Sequence, residues 1–285
     1  MTTPWEKQEY LDSVAWAKKS KAGELEVKPC ISAWMDVCGF GSALEKCAWN
    51  LIELQKSGML ELLSTVYQIA GHPFLVGVEP MPYESILIIN DGVSRTVDLD
   101  KPEYANCATF VFYLRNLFFA HRSLVELTKS KGYGFRTILA GGERVQYSPT
   151  LFTGNAILQH NEDNVSDFGK ALLNKNFLYN PSEFQMNTAF AKAYSIDSLG
   201  TKLGFNINCC YIESSFWGVV EKIPDLNIEH KSDSKLIYFN STPVLEIYFS
   251  DTISNHFKGI DFLIHKVCRI RIDERFEGEE TIVDL

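Results

Sequence analysis

The chain has 285 residues, 46 % of them hydrophobic and 13 % aromatic, which excludes a disordered chain and allows a substantial core. Its net charge of -9 and sequence pI near 5.2 exclude broad nucleic-acid affinity, because counterion release needs clustered Lys and Arg. An acidic chain that handles a polyphosphate needs divalent cations to screen its own carboxylates.

The length suits one core of catalytic size with an appended region. The seven cysteines, at 30, 38, 47, 107, 209, 210 and 268, form an odd set without scaffold-like spacing, so they read as reduced thiols. The N-terminus MTTPWEKQEYLDSVAWAKKSK lacks the apolar core of a signal peptide, and no run approaches eighteen apolar residues. The expectation is a soluble, cytoplasmic protein that engages neither membrane nor nucleic acid.

In chain order, residues 5 to 22 read as a short amphipathic helix with Trp5, Tyr10, Leu11, Val14 and Ala15 on one side. CISAWMDV, 30 to 37, reads as a buried strand, and GFGS closes on Ser42, a predicted N-cap for a helix from Ala43 to about Ala70. In FLVGVEPMPYESILIINDGVS two β-rich runs flank Pro80 and Pro82 and predict a hairpin, with Asp91 at or near the end of its second strand. Tyr104 to about Lys129 has the apolar spacing of a long helix.

GFRTILAGGERVQY predicts a strand, a glycine pair and a return strand, and the polar, asparagine-rich stretch 150 to 184 a long excursion or lid. NTAFAKAYSIDSLGTKLG predicts a third helix closed by glycines. NINCCYI, KLIYFN and VLEIYF read as strands and 251 to 268 as helical. The order β-α-ββ-α-β-α-β implies an α+β fold, a sheet covered by helices, rather than a doubly wound one.

Asp36 and Asp91 each stand at the mouth of a predicted strand. Two hard oxygen ligands on neighbouring strands could share Mg2+ or Mn2+, although an aspartate at a strand end also serves as a turn or cap residue. The turn Val37-Cys38-Gly39-Phe40-Gly41-Ser42 could cradle a triphosphate through its N–H groups or simply be a tight connection. It lacks the Lys of a Walker A motif and the third glycine of the dinucleotide fingerprint. Arg136 and Arg144 bracket Gly141-Gly142, and with Lys192 they are candidates for meeting phosphate charge or ordinary ion-pair partners. The six histidines form no HExxH pattern, no G-x-S-x-G elbow is present, and Cys209-Cys210 with His265 and Cys268 has neither common zinc spacing.

Taken together, WMDVCGFG, Asp91 in its hairpin, FRTILAGGERVQY and PSEFQMNTAFAKAYSIDSLGTKLG resemble the class III nucleotide cyclase fold. More narrowly they resemble the pyrimidine cyclases of Pycsar bacterial anti-phage defence, over about residues 30 to 210. The resemblance implies a ferredoxin-like core sheet covered by helices with extra C-terminal elements. It divides the chain into an N-terminal helical extension (1–27), a catalytic core (28–215) and a C-terminal extension (216–285). It also implies a homodimer with composite sites that converts UTP or CTP into the 3′,5′-cyclic monophosphate and pyrophosphate, a second messenger sensed by a separate cyclic-nucleotide effector.

In such cyclases two ions, Mn2+ or Mg2+, sit on paired aspartates. Asp36 and Asp91 would be both ligands and catalytic residues, the Val37 carbonyl a further ligand, and Gly39, Phe40, Gly41 and Ser42 the phosphate-contacting turn. This chain departs from the purine cyclases: Leu87 stands where they carry a base-reading Lys, and Ala191 and Ser195 where they carry an Asn and an Arg. Asn187 and Lys192 lie nearby. A catalytically inactive cyclase fold that binds nucleotide is the alternative, and a metal-dependent phosphohydrolase is a third possibility.

Overall fold

The computed structural model describes residues 15, 18–71, 84–99, 107–145 and 186–285. The expected helix over 5 to 22 lies mostly outside them, and the expected turn at Pro80 and Pro82 and the 150 to 184 stretch lie wholly outside. The chain divides into two compact units, residues 1–28 with 143–187 and residues 29–142 with 188–285. In the smaller unit Arg144 bridges Asn187 in antiparallel fashion, and the Val145 N–H donates to the Met186 carbonyl at 3.2 Å.

The chain runs through β1 (Val27–Cys38), α1 (Phe40–Lys46), α2 (Leu51–Lys56), α3 (Met59–Gly71), β2 (Glu84–Ile89), β3 (Gly92–Asp98), α4 (Cys107–Ser130) and β4 (Gly134–Val145). Then follow α5 (Thr188–Leu199), a 3-10 turn (Gly200–Leu203), β5 (Cys209–Glu213), α6 (Ser215–Val220), β6 (Leu226–His230) and β7 (Ser234–Phe239). The last elements are β8 (Thr242–Phe257), β9 (Ile260–Ile272), α7 (Glu274–Glu277) and β10 (Thr281–Asp284). Among the described residues ten strands form one sheet in the order β2-β3-β1-β4-β5-β9-β8-β7-β6, with β10 on β9. The fold is α+β and the sheet mostly antiparallel, β4 and β5 being a parallel pair. None of the helices among the described residues is long and apolar enough to cross a membrane.

β1 organises the larger unit because alternate side chains leave a strand on opposite faces. Ile31, Ala33, Met35 and Val37 point to one face, where they join the apolar sides of α1 to α4. Ser32, Trp34 and Asp36 point to the other, where α5 packs through Ala193 and Ile196. On that second face the Ser32 hydroxyl is 3.0 Å from that of Thr96 and 3.3 Å from that of Ser94, so these buried polar groups bond one another across β1 and β3.

Several expectations are corrected. The single helix over 43 to 70 is three, because Ala48 and Trp49 adopt φ of 48° and 59° and Gly58 one of 81°. The chain restarts at Asn50, whose side chain accepts from the Ile52 and Glu53 N–H groups. Ser42 is not an N-cap. It lies inside α1, and the left-handed Gly39 holds the cap position without a side-chain bond. Gly141 and Gly142 make no turn but lie within the continuous β4. A Cβ on Gly141 would sit 2.3 Å from the Ser215 carbonyl oxygen, and one on Gly142 2.4 Å from the Thr188 hydroxyl, so close packing explains the pair. The stretch 251 to 268 is not helical: it is the β8–β9 hairpin, turning at Lys258 and Gly259 with φ of 50° and 79°.

Candidate active site

A hairpin follows among the described residues. β2 and β3 pair antiparallel from Glu84–Val97 to Ile89–Gly92, and Asn90 and Asp91 form the two-residue turn, Asn90 at φ 52°. β3 has no counterpart in the sequence reading, while Asp91 lies near the end of β2 as expected, in the turn that leads into β3. β3 also pairs with β1 in a register that sets Asp36 opposite Gly92, and the Val37 N–H donates to the Asp91 carbonyl at 3.1 Å. Two aspartates far apart in sequence therefore meet at the same end of adjacent strands, their Cα atoms roughly 6 Å apart by antiparallel geometry.

Gly92 is required here. A Cβ on it would fall 2.1 Å from the Trp34 indole, which occupies the space over Gly92. Behind the turn, the Tyr67 hydroxyl of α3 donates to the Asn90 carbonyl and steadies the loop that carries Asp91.

The electrostatics favour a cation. Asp36 is half-buried, and among the described residues no donor bonds its carboxylate. Burial, then the charges of Asp197 and Asp91, push its pKa up to about 8, and Arg136 lowers it only in part. Asp91 is also raised, first by burial and then by Asp197, with a bond from its own N–H opposing. Both carboxylates are thus disfavoured as bare neighbouring anions. A divalent ion would offset their mutual repulsion, and two carboxylates beside a main-chain carbonyl are the hard-oxygen donors that Mg2+ and Mn2+ take. Among the described residues no group of three or more His, Cys, Asp and Glu side chains is arranged to hold a metal, so the donor set rests on the aspartate pair.

The phosphate-contacting candidates Gly39, Phe40, Gly41 and Ser42 follow directly on β1. Gly39, Gly41 and Ser42 are exposed, while Phe40 packs partly against the α1–α4 core. The basic candidates differ in their partners. Arg136 lies in the site but is committed: its Nε donates to Asp197 Oδ1 at 2.5 Å and its terminal nitrogen to the Asp197 carbonyl at 3.2 Å. Lys192 donates to the Gly141 carbonyl at 3.2 Å. Arg144 and Asn187 belong to the smaller unit. Leu87 pairs across β2 and β3 with Ser94, and Ala191 and Ser195 stand on α5 without charge.

Asp197 and Trp34 were missed as site residues. Asp197 has a sequence signal: it lies on the buried stripe of α5 with Ala189, Ala193 and Ile196, where an aspartate needs a partner. Its second oxygen accepts from the Trp34 indole N–H at 3.2 Å. The Trp34 ring meets Tyr194 edge-on at 5.1 Å.

No protein-family model matches the sequence, and no curated protein matches it either. Among solved structures the chain is similar to the guanylyl cyclase Cya2, at 14% identity and a TM-score of 0.45 over 86% of this chain and 93% of that one. It is similar to the guanylyl cyclase domain of the RhoGC fusion protein from the aquatic fungus Blastocladiella emersonii, at 12% identity and a TM-score of 0.40 over 85% and 97%. It is also similar to the guanylate cyclase domain of RhGC from Catenaria anguillulae in complex with GTP, at 11% identity and a TM-score of 0.40 over 85% and 97%.

Proposed function

We propose that the chain is a metal-dependent nucleotide cyclase that converts UTP or CTP into the 3′,5′-cyclic monophosphate and pyrophosphate. The observation that carries this reading is the meeting of Asp36 and Asp91 at one end of β1 and β3, in a donor-poor site beside an exposed turn. Two divalent ions, Mn2+ or Mg2+, held by the two carboxylates and the Val37 carbonyl would supply activation of the ribose 3′-hydroxyl and neutralise the phosphates.

The chain's own residues do the positioning. Asp36 on β1 would hold the ions from one strand, while the β2–β3 turn, braced by Tyr67, presents Asp91 from the neighbouring strand. The first N–H groups of α1, unbonded within the helix, contact phosphate oxygens from the Gly39–Ser42 turn. Arg136 is committed to Asp197, so a second copy facing the site is the source of the charge that meets the departing pyrophosphate. This is the composite homodimer.

A pyrimidine substrate is supported by Leu87, which offers no polar contact at the position of the purine-reading Lys. The product would serve as a messenger for a separate effector in anti-phage defence. Incubating the full chain with each of the four nucleoside triphosphates and Mn2+ tests the reading: cyclic UMP or cyclic CMP is expected. A purine product alone, a linear monophosphate, or no product would overturn it.

The uncharged Ala191 and Ser195 on α5 favour a second reading, a catalytically inactive nucleotide-binding module. That reading expects UTP or CTP to bind without turnover and Asp36→Ala to leave partner binding unchanged.

A further inference from the structure

Asp197 is a third carboxylate beside Asp36 and Asp91, and after burial its charge acts on Asp36 more strongly than that of Asp91 does. Left free, it would compete for cations. It is not free. Asp197 and Arg136 are both buried, at 8% and 6% exposure, and they share two hydrogen bonds, side chain to side chain and side chain to main chain. The remaining carboxylate oxygen is occupied by Trp34, two residues before Asp36 on the same face of β1. Asp197 thus ties α5 to β1 and to β4, its neighbour in the sheet.

Arg136 in turn acts on Asp36 and Cys38, yet no ion pair joins it to Asp36. Its guanidinium lies 6.0 Å from the centre of the Phe205 ring. The buried pair carries no net charge, although Asp36 feels the Asp197 carboxylate more than the Arg136 guanidinium. Removing either partner would leave a buried, uncompensated charge next to the metal ligands.

We propose that Asp197 is a positioning residue: it holds the Arg136 guanidinium away from Asp36 while Arg136 withholds Asp197 from the cation, which limits the site to two carboxylate ligands. This rests on the metal reading above and extends it to two residues that touch neither substrate nor ion. Without Asp197 the freed guanidinium pairs with Asp36 and competes with the cation. Without Arg136 the freed carboxylate becomes an additional ligand. The two losses act in opposite directions, which a purely structural ion pair would not do.

The test is Mn2+ affinity of the full chain, measured by calorimetry or by the paramagnetic resonance of unbound Mn2+, with no substrate present. Asp197→Asn is expected to weaken binding by about tenfold or more, the scale of losses seen when groups that orient ligands are removed. Arg136→Gln is expected to tighten binding or raise the stoichiometry. The double variant, again neutral, is expected within about threefold of wild type. Single variants that shift affinity in the same direction, or not at all, overturn the proposal. Should a single variant fail to fold, the double carries the test, and loss of Mn2+ binding by a folded double variant overturns it. A wild-type chain that binds no Mn2+ overturns the metal reading and this proposal together. Binding with an unsplit pair of variants overturns this proposal alone.

Discussion

The main-chain N–H of Val37 donates to the carbonyl of Asp91 at 3.1 Å, one residue beyond the pairing of Asp36 with Gly92. The backbone ladder therefore fixes the proximity of the two carboxylates, so either side chain can be removed without dissolving the site's frame. Asp36→Ala and Asp91→Ala are each expected to keep a wild-type far-ultraviolet spectrum and lose cyclase turnover by about a hundredfold or more. Turnover of either variant near the wild-type rate would remove both aspartates from the catalytic machinery.

Asp36 also gives the metal-free protein a pH dependence. Its folded pKa, about 8, lies above the ordinary value of 3.8, so the protonated form favours folding. The contribution is fully present below about pH 4 and is lost as pH rises through about 8. Melting temperature in chelator should fall over that window, and Mn2+ should restore more of it at pH 8 than at pH 6. Asp36→Asn should flatten the chelator curve, and an unchanged slope in that variant would place the effect elsewhere.

Glu246 gives the opposite sign. Its carboxylate is buried, accepts from Lys231 at 2.7 Å, Arg271 at 2.8 Å, Tyr248 at 2.7 Å and Ser234 at 2.9 Å, and is held down at a pKa of about 2. These donors outweigh the burial that would raise it. Its stabilisation is present above about pH 4.5 and is lost as pH falls through about 2. Glu246→Ala removes these bonds but leaves Lys231 and Arg271 open to solvent, so it should cost about 2 kcal/mol in denaturant unfolding at pH 7. A cost below about 0.5 kcal/mol would show that solvent already screens the cluster.

Gly92→Ala tests how β3 accommodates the indole. A methyl group 2.1 Å from the Trp34 ring cannot coexist with it, so either Trp34 leaves its bond to Asp197 or β3 moves away from β1. Destabilisation of about 2 kcal/mol is expected, within the range for overpacking, together with a red shift in tryptophan emission. A variant with wild-type emission and stability would show that the two strands separate freely.

Tyr67→Phe removes the hydroxyl that bonds the Asn90 carbonyl. Loss of about 1 kcal/mol is expected, with weaker Mn2+ binding because the turn carrying Asp91 loosens. Equal Mn2+ affinity in wild type and variant would make the bond purely structural.

Local chemistry in the sequence determined β1, the long helix α4, the helix α5 and the candidacy of Asp36 and Asp91, because alternation, helical spacing and strand-end carboxylates are written in neighbouring residues. The breaks at Ala48–Trp49 and the straight run through Gly141–Gly142 were not legible. The first depends on a left-handed backbone at non-glycine residues, and the second on Ser215 and Thr188, which arrive from far along the chain. The stretch 251 to 268 suggests a helix from sequence, although VLEIYF at the start of β8 reads as a strand, because the hydrogen bonds that decide between the two forms come from the partner strand. Only the tertiary structure set Asp36 against Gly92, brought Asp91 beside it, and buried Asp197 between Arg136 and Trp34. Each of those relations is a register or a packing contact between distant segments, which no local pattern encodes.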